Sequence, residues 1–377
     1  MSVIKKILLA VCAALCLTSF TACAGRMPEA SKDIFAMDTY MNIRACGDNA
    51  DDAVSACCAG LEKLDALMDA EDEESEVYRL NEQKDALLSE DTFEAICRAR
   101  QISLMTDGAF DITVRPVIKA WGFTADEHRV PDAKELEELL KYVGQEKIQI
   151  NMMSFSGDGS TESVRDLLSA TGPSDKNDMF QEIPDEDRRV EMPENCEIDL
   201  GGIAKGLASD RVMRIFEEKG VTGGLAALGG NITAYGTKPD GSLWRVAIQN
   251  PDPNLSSLKK ADYIGVVNVS GKHVITSGGY ERFFEENGVR YHHIIDPHTG
   301  YPADSGLISV SIVSGEGWLA DGLSTALFVM GKDKALEFWS THKERFDCIL
   351  VDDAGRITVT EGLKDTFTSE LDYEIYS

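Results

Sequence analysis

The chain has 377 residues, with 37 Lys and Arg against 65 Asp and Glu, a formal net charge of −28 and 43% hydrophobic residues. That length buries a sizeable core, in one large domain or two closely packed ones. A charge this negative excludes a chain that wraps nucleic acid or grips anionic lipid through basic patches. Any phosphate-bearing ligand must be held locally, by backbone N–H groups, a few placed cations or a metal ion.

Residues 1–22 read as a targeting segment outside the fold. Lys5 and Lys6 precede an apolar run, Ile7 to Leu17, that is too short for a permanent membrane span, and a small-residue stretch ends at Cys23. Phe20-Thr21-Ala22-Cys23 resembles a bacterial lipobox; the alternative is an ordinary secretory peptide. The lipobox implies lipid on Cys23 and a chain anchored to the outer side of the bacterial cell membrane. Losing residues 1–22 removes two lysines and no acids, so the mature chain is more acidic still. Residues 23–33 read as a tether. The later cysteines, at 46, 57, 58, 97, 196 and 348, show no C-x-x-C pair and no histidine at metal spacing. They are predicted to be small buried apolar residues rather than a disulfide framework.

Alternation of apolar and polar residues over 35–45 predicts a strand. Val54, Cys57, Cys58, Leu61, Leu64 and Leu67 recur at helical spacing behind the capping candidates Asp48 and Asn49. Further helices are predicted at 91–105, 132–142, 203–219, 316–330 and 333–342, and strands at 224–235, 243–249, 263–269, 291–295, 307–314 and 347–360. Residues 154–190 break the rhythm and read as a loop-like or disordered insertion between two strands. Short connections favour an α+β fold, a largely antiparallel sheet with helices packed on it, over 34–365 with a tail at 366–377.

Four clusters have the residue types for chemistry. Thr106-Asp107-Gly108-Ala109-Phe110-Asp111 is either a tight turn into a buried segment or a place where backbone groups and the Asp111 carboxylate meet a ligand. In Asp199-Leu200-Gly201-Gly202-Ile203-Ala204-Lys205-Gly206 a cation sits in the first turn of a helix, where anions are the favoured company. Lys205 therefore suggests an anionic partner such as a phosphate oxygen, the alternative being an ordinary exposed lysine. Gly229-Gly230-Asn231 marks a bulge or a close backbone approach. Lastly, Thr276-Ser277-Gly278 precedes a stretch with three of the six histidines between 292 and 298. Asp321 and Thr325 follow, four apart on one helix face and able to aim a carboxylate and a hydroxyl at one hard cation, although such a pair is commonly a cap or a solvated face.

Strung in this order, M-x-T, D-G-x-F-D-x-T, W-G-F, D-L-G-G-I-A-K-G, G-G-N, T-S-G, H-x-I-D-P-x-T-G and A-D-x-L-x-T-A resemble the FAD:protein FMN transferase family, the ApbE-type flavin transferases, over roughly residues 34–365. The resemblance implies FAD as substrate, Mg²⁺, and transfer of FMN to a Thr hydroxyl of an acceptor flavoprotein with release of AMP. It implies flavin or FAD contacts at Met37, Ala109, Phe110, Asp111, Asp199, Lys205 and Ile295. Metal ligands would be the Gly202 carbonyl, Asp321 and Thr325, with Ser324 where some members carry a second Asp. His293 is the candidate general base, with Asp296 as the other. Acceptors in the family are flavin subunits of NADH-linked ion-pumping membrane complexes and extracellular flavoprotein reductases. One departure stands out: Ala70-Glu71-Asp72-Glu73-Glu74 lacks the aromatic that many members carry before S-E-x-x-x-L-N to cover the flavin ring. Tyr78 is the nearest substitute. An FAD pyrophosphatase that uses the same metal, and a lipid-tethered flavin-binding protein without turnover, are the competing readings.

Overall fold

The computed structural model describes residues 27–377 apart from 126, 152–179, 181, 182, 253, 256 and 259–261. The leader and most of the 154–190 insertion thus lie outside the described residues. Among the described residues no helix is long and apolar enough to cross a membrane.

The chain opens with β1 (Glu29–Ala36) and β2 (Thr39–Cys46), then α1 (Ala50–Met68), α2 (Glu76–Gln83), β3 (Asp85–Leu87) and α3 (Glu90–Met105). A short 3₁₀ turn at Ile112–Val114 leads into α4 (Arg115–Trp121), α5 (Ala133–Leu140), β4 (Gln149–Asn151) and β5 (Arg189–Glu191). Next come α6 (Ala204–Glu218), β6 (Gly223–Leu228), β7 (Asn231–Gly236), β8 (Trp244–Gln249), β9 (Tyr263–Val269) and β10 (Lys272–Gly278). The rest comprises β11 (Phe283–Glu286), β12 (Val289–His292), β13 (Leu307–Ser314), α7 (Gly317–Met330), α8 (Lys332–Ser340), β14 (Phe346–Asp352), β15 (Ile357–Thr360), β16 (Phe367–Thr368) and β17 (Tyr373–Tyr376).

Nine strands form the main sheet in the order β1-β2-β6-β7-β10-β13-β14-β15-β17, antiparallel throughout except for the β15–β17 edge. One face carries α1, α3, α6, α7 and α8 over a core that includes Met41, Ile43, Leu61, Phe93, Phe216 and Phe328. A three-stranded sheet, β16-β9-β8, covers part of the other face through Trp244, Val267, Ile349 and Phe367. The fold is therefore α+β with helices on one face of an antiparallel sheet, as the short connections indicate. The six cysteines among the described residues are all free and buried. Burial pushes the Cys57 thiol up to about 12, which suits an inert packing role.

Three strands read as continuous are hairpins. The run 35–45 folds back at Met37-Asp38, with Ala36 paired to Thr39, and both turn residues have positive φ, 49° and 57°. A two-residue turn of this kind keeps the period-2 alternation in step across the reversal, so the sequence pattern runs on without a break. Likewise 224–235 reverses at Gly229-Gly230, and 347–360 reverses after Asp352. Pairing also extends beyond 34–365, from Glu29 in β1 to Tyr376 in β17, which ties both flanks into the main sheet.

Candidate active site

The motif clusters converge at one end of the main sheet, where the β1–β2 and β6–β7 turns meet the start of α6, the end of β10 and the middle of α7. Contacts link these parts in sequence. A Cβ on Gly229 would lie 2.9 Å from Thr39 Oγ1, and one on Gly230 would lie 3.4 Å from Glu281 Oε1 and 3.5 Å from the Thr276 carbonyl oxygen. The glycine pair is thus both a turn and a close approach. Met37 is held in its left-handed conformation by its own N–H, which donates to Asp65 Oδ1 at 2.8 Å. Such backbone costs about 1–3 kcal/mol and persists only where neighbours fix it.

Asp321 is the centre of the arrangement. It is 5% exposed, and its Oδ2 accepts from the Gly206 N–H at 2.7 Å. That N–H belongs to the first turn of α6, which has no partner within its own helix, so a carboxylate from α7 caps α6. Contact this close needs glycine: a Cβ on Gly206 would lie 2.5 Å from the Gly317 carbonyl oxygen and 2.6 Å from Asp321 Cβ. Burial raises the Asp321 carboxyl above its ordinary range, opposed by the charge of Lys205 and by the Gly206 N–H. Asn231, 1% exposed, faces the same carboxylate.

Hydroxyls gather one turn further along α7. Ser277 Oγ lies 2.7 Å from Ser324 Oγ and 3.4 Å from Thr325 Oγ1, while Ser324 Oγ donates back to the Asp321 carbonyl oxygen at 2.8 Å. One buried carboxylate with several hydroxyl oxygens is a hard donor set, of the kind that holds Mg²⁺ with part of its shell left for water or substrate phosphate. Among the described residues no three His, Cys, Asp or Glu side chains cluster as metal ligands, and Asp321 is the one such side chain in this donor set. Gly202, whose carbonyl the resemblance enlists, packs over Phe110; a Cβ there would lie 2.9 Å from Phe110 Cε2.

Lys205 is the shared cation. Its Nζ donates to the Gly201 carbonyl at 3.3 Å, and its charge acts on Asp321, Glu281 and His293. His293 is half-buried, with Nδ1 3.1 Å from the Arg282 carbonyl oxygen, and desolvation pushes its imidazole down to about 4. It is neutral at physiological pH, the form that accepts a proton. Asp296 instead ties its own loop together, accepting from the His298 N–H at 2.9 Å and the Thr299 hydroxyl at 3.1 Å.

Asp199 stands at the head of the glycine loop, 27% exposed, with Oδ1 accepting from the Gly201 N–H at 2.7 Å. Its Oδ2 lies 3.5 Å from Nη1 of Arg115, a residue absent from the sequence-derived set. Arg115 is 4% exposed; its Nη2 donates at 2.9 Å to both the Ala70 carbonyl and Glu71 Oε1, and its Nε lies 3.3 Å from Glu197. The acidic stretch without an aromatic is therefore pinned to the same guanidinium as Asp199.

Two other sequence-derived contacts have their side chains engaged elsewhere. Asp111 Oδ1 accepts from the Thr113 N–H and hydroxyl at 2.8 and 2.6 Å, and Oδ2 accepts from the Gln145 N–H at 2.9 Å, so the carboxylate caps the 3₁₀ turn. Ile295 is 5% exposed in an apolar cluster with Trp121 and Leu136. Ala109 and Phe110 are also buried, and of these residues Phe110 packs against Gly202 at the start of the glycine loop.

This geometry can be set beside known proteins. The chain matches the ApbE family over residues 37–350. It is 28% identical to a Haemophilus influenzae FAD:protein FMN transferase over 365 residues, 94% of this chain and 96% of that one. A Treponema pallidum protein of the same name is 31% identical, covering 73% of this chain and 70% of the relative. Among solved structures, the Thermotoga maritima ApbE protein superposes with a TM-score of 0.74 at 30% identity, covering 89% of this chain and 98% of that one. The apo flavinyl transferase ApbE of Pseudomonas stutzeri gives 0.72 at 25% identity, covering 91% and 98%. On the strength of the matched span and of the fold, the chain belongs to the ApbE family.

Proposed function

We propose that this chain is an FAD:protein FMN transferase that moves the FMN half of FAD onto a Thr hydroxyl of an acceptor flavoprotein. The observation that carries this reading is the Asp321 carboxylate, buried on the Gly206 N–H beside three hydroxyls and Lys205, with neutral His293 in the field of the same lysine. Relatives at up to 31% identity bear that name. In the proposed reaction the acceptor Thr oxygen bonds to the FMN phosphorus. The bond from that phosphorus to the bridging oxygen breaks, and the electron pair leaves with AMP.

Lys205 opposes charge on the diphosphate, and the Gly201-Gly202 backbone lets it approach the start of α6 closely. His293 takes the Thr proton, since a protonated hydroxyl is a poor nucleophile. Asp321, Thr325, Ser324 and the Gly202 carbonyl would hold Mg²⁺, which when bound neutralises the diphosphate and stabilises the departing AMP. Met37, Ala109, Phe110, Asp199 and the backbone at Asp111 and Ile295 would line the rest of the FAD site. The lipobox-like segment supports lipid attachment at Cys23 and a location on the outer side of the cell membrane. Acceptors there would be flavin subunits of NADH-linked ion-pumping complexes or extracellular reductases.

The test is incubation with FAD, Mg²⁺ and a Thr-bearing acceptor domain, followed by mass spectrometry of the acceptor and assay of AMP. Covalent FMN on the Thr with equimolar AMP is the expected result. Free FMN with AMP and an unmodified acceptor would make the protein a pyrophosphatase. Stoichiometric FAD binding without AMP would make it a flavin carrier.

A further inference from the structure

Phe35 and Tyr40 are the exception to an orderly burial pattern. Along β2, Met41, Ile43 and Ala45 point into the core. On the opposite face Phe35 and Tyr40 are 61% and 81% exposed and belong to none of the three apolar clusters. They are cross-strand partners flanking the Met37-Asp38 turn, in edge-to-face contact with centroids 5.2 Å apart. Through Thr39 the same hairpin tip packs on Gly229, at the mouth of the site.

The tip is ringed by carboxylates. Asp33 and Asp38 lie on the hairpin, and Asp38, Asp69 and Asp72 all act on Asp65, whose oxygen holds the Met37 N–H. Glu71, Glu73 and Glu74 are exposed on the adjoining loop. Three cations of this region have carboxylate partners: Arg44 pairs with Glu29 at 2.5 Å, Lys63 with Asp91 at 2.7 Å and Arg115 with Glu71, while Lys32 on β1 is exposed. An aromatic pair inside an anionic rim suits a protein partner bearing an apolar side chain between cationic flanks. Anionic lipid and a second copy of this acidic tip would both be repelled. β1 begins at Glu29, roughly 20 Å from Phe35 at the rise of a strand, so the stretch read as a tether is in part a paired strand that leads to the tip from its far end.

We infer that the β1–β2 tip is the docking surface for the acceptor protein, with Phe35 and Tyr40 as its apolar anchors and the surrounding carboxylates selecting a cationic segment next to the modified Thr. The inference rests on the transferase reading, because only a protein substrate needs such a surface beside the reacting phosphorus.

The experiment compares the full chain with its Phe35→Ser/Tyr40→Ser and Asp38→Asn/Asp72→Asn variants, using an acceptor domain that the unsubstituted protein labels. The aromatic variant is expected to raise the acceptor KM about tenfold or more, with FAD affinity, melting temperature and kcat at saturating acceptor retained. The Asn variant is expected to weaken the salt dependence of labelling. An unchanged acceptor KM in the aromatic variant overturns the inference. So does loss of FAD affinity, which would make the pair part of the flavin pocket, or a changed sedimentation of the free protein, which would make it a self-contact. If the unsubstituted protein labels no acceptor, the transferase reading itself fails and the docking surface with it.

Discussion

Gly206→Ala tests the central contact of the site. The added Cβ would lie 2.5 Å from the Gly317 carbonyl oxygen and 2.9 Å from the Gly317 carbonyl carbon, both backbone atoms that cannot swing aside. Ordinary contact begins near 3.4 Å, so α6 and α7 must part by about 0.9 Å. The Gly206 N–H to Asp321 bond, 2.7 Å long, then stretches to about 3.6 Å and is lost as a hydrogen bond. Overpacking of this kind costs about 1–3 kcal/mol. Losing a bond to a buried charged acceptor adds about 1.5–3 kcal/mol. Because Asp321 also moves relative to Lys205 and the hydroxyls, the transfer rate should fall about 10²-fold, the usual effect of a displacement near 1 Å. The control is Gly315→Ala, two residues before α7, where an added Cβ meets nothing within 4 Å. Denaturant midpoints and AMP release, measured on both variants, read the two effects. A Gly206→Ala protein within about 0.5 kcal/mol of the parent and within threefold in rate would refute the reasoning.

Asp321→Asn keeps an acceptor oxygen for the Gly206 N–H but removes the charge; since burial already disfavours the ionised form, metal-free stability should hold or rise while Mg²⁺-dependent AMP release drops at least about 10²-fold. An unchanged Mg²⁺ titration in that variant removes the metal assignment. With its imidazole lowered from 6.5 to about 4, His293 binds its proton more readily in the unfolded chain, so its contribution to stability is present above pH 6.5 and lost as pH falls toward 4. The corresponding acid limb of kcat/KM should lie near 4, and a His293-dependent limb at 6.5 would contradict the assignment. Arg115→Met should cost about 1–3 kcal/mol, below the figure for a fully buried pair because its carboxylates keep 26–58% exposure. It should raise the FAD KM through Asp199 more than it lowers kcat; an unaltered KM would confine Arg115 to a structural role.

Helices were the most legible elements. In α1, Val54, Cys57, Cys58, Leu61 and Leu64 are all buried on one face, and α3, α6, α7 and α8 begin and end within a residue or two of their patterns. Strand number was less legible, because the Met37-Asp38 reversal uses neither glycine nor asparagine and leaves the alternation unbroken. The Gly229-Gly230 pair gave a signal, read as a bulge or a close approach; the approach is there, but the reversal of the chain at the pair is not something that reading named. In the site, Lys205, His293, Asp321 and Thr325 were visible as residue types at suggestive spacings. Arg115 was not, since nothing in its own stretch marks a guanidinium whose four partners lie in two segments distant in sequence. Asp111 shows the converse limit: the same carboxylate serves a ligand or a cap, and only the positions of Thr113 and Gln145 decide for the cap.

Lys205 in the first turn of α6 looked out of place, because that end of a helix already carries partial positive charge. The explanation lies in α7. In its ionised form Asp321 puts a negative charge on the same helix end, where it offsets the dipole and the lysine within a chain of net charge −28. A diphosphate arriving there meets cationic capacity that Asp321 already matches. On the transferase reading, a divalent cation must supply the difference, and the hydroxyls of Ser277, Ser324 and Thr325 beside Asp321 are hard oxygen donors suited to one. FAD affinity that is equally high in excess chelator would show that Lys205 and the helix end suffice, and this balance of charges would then be wrong.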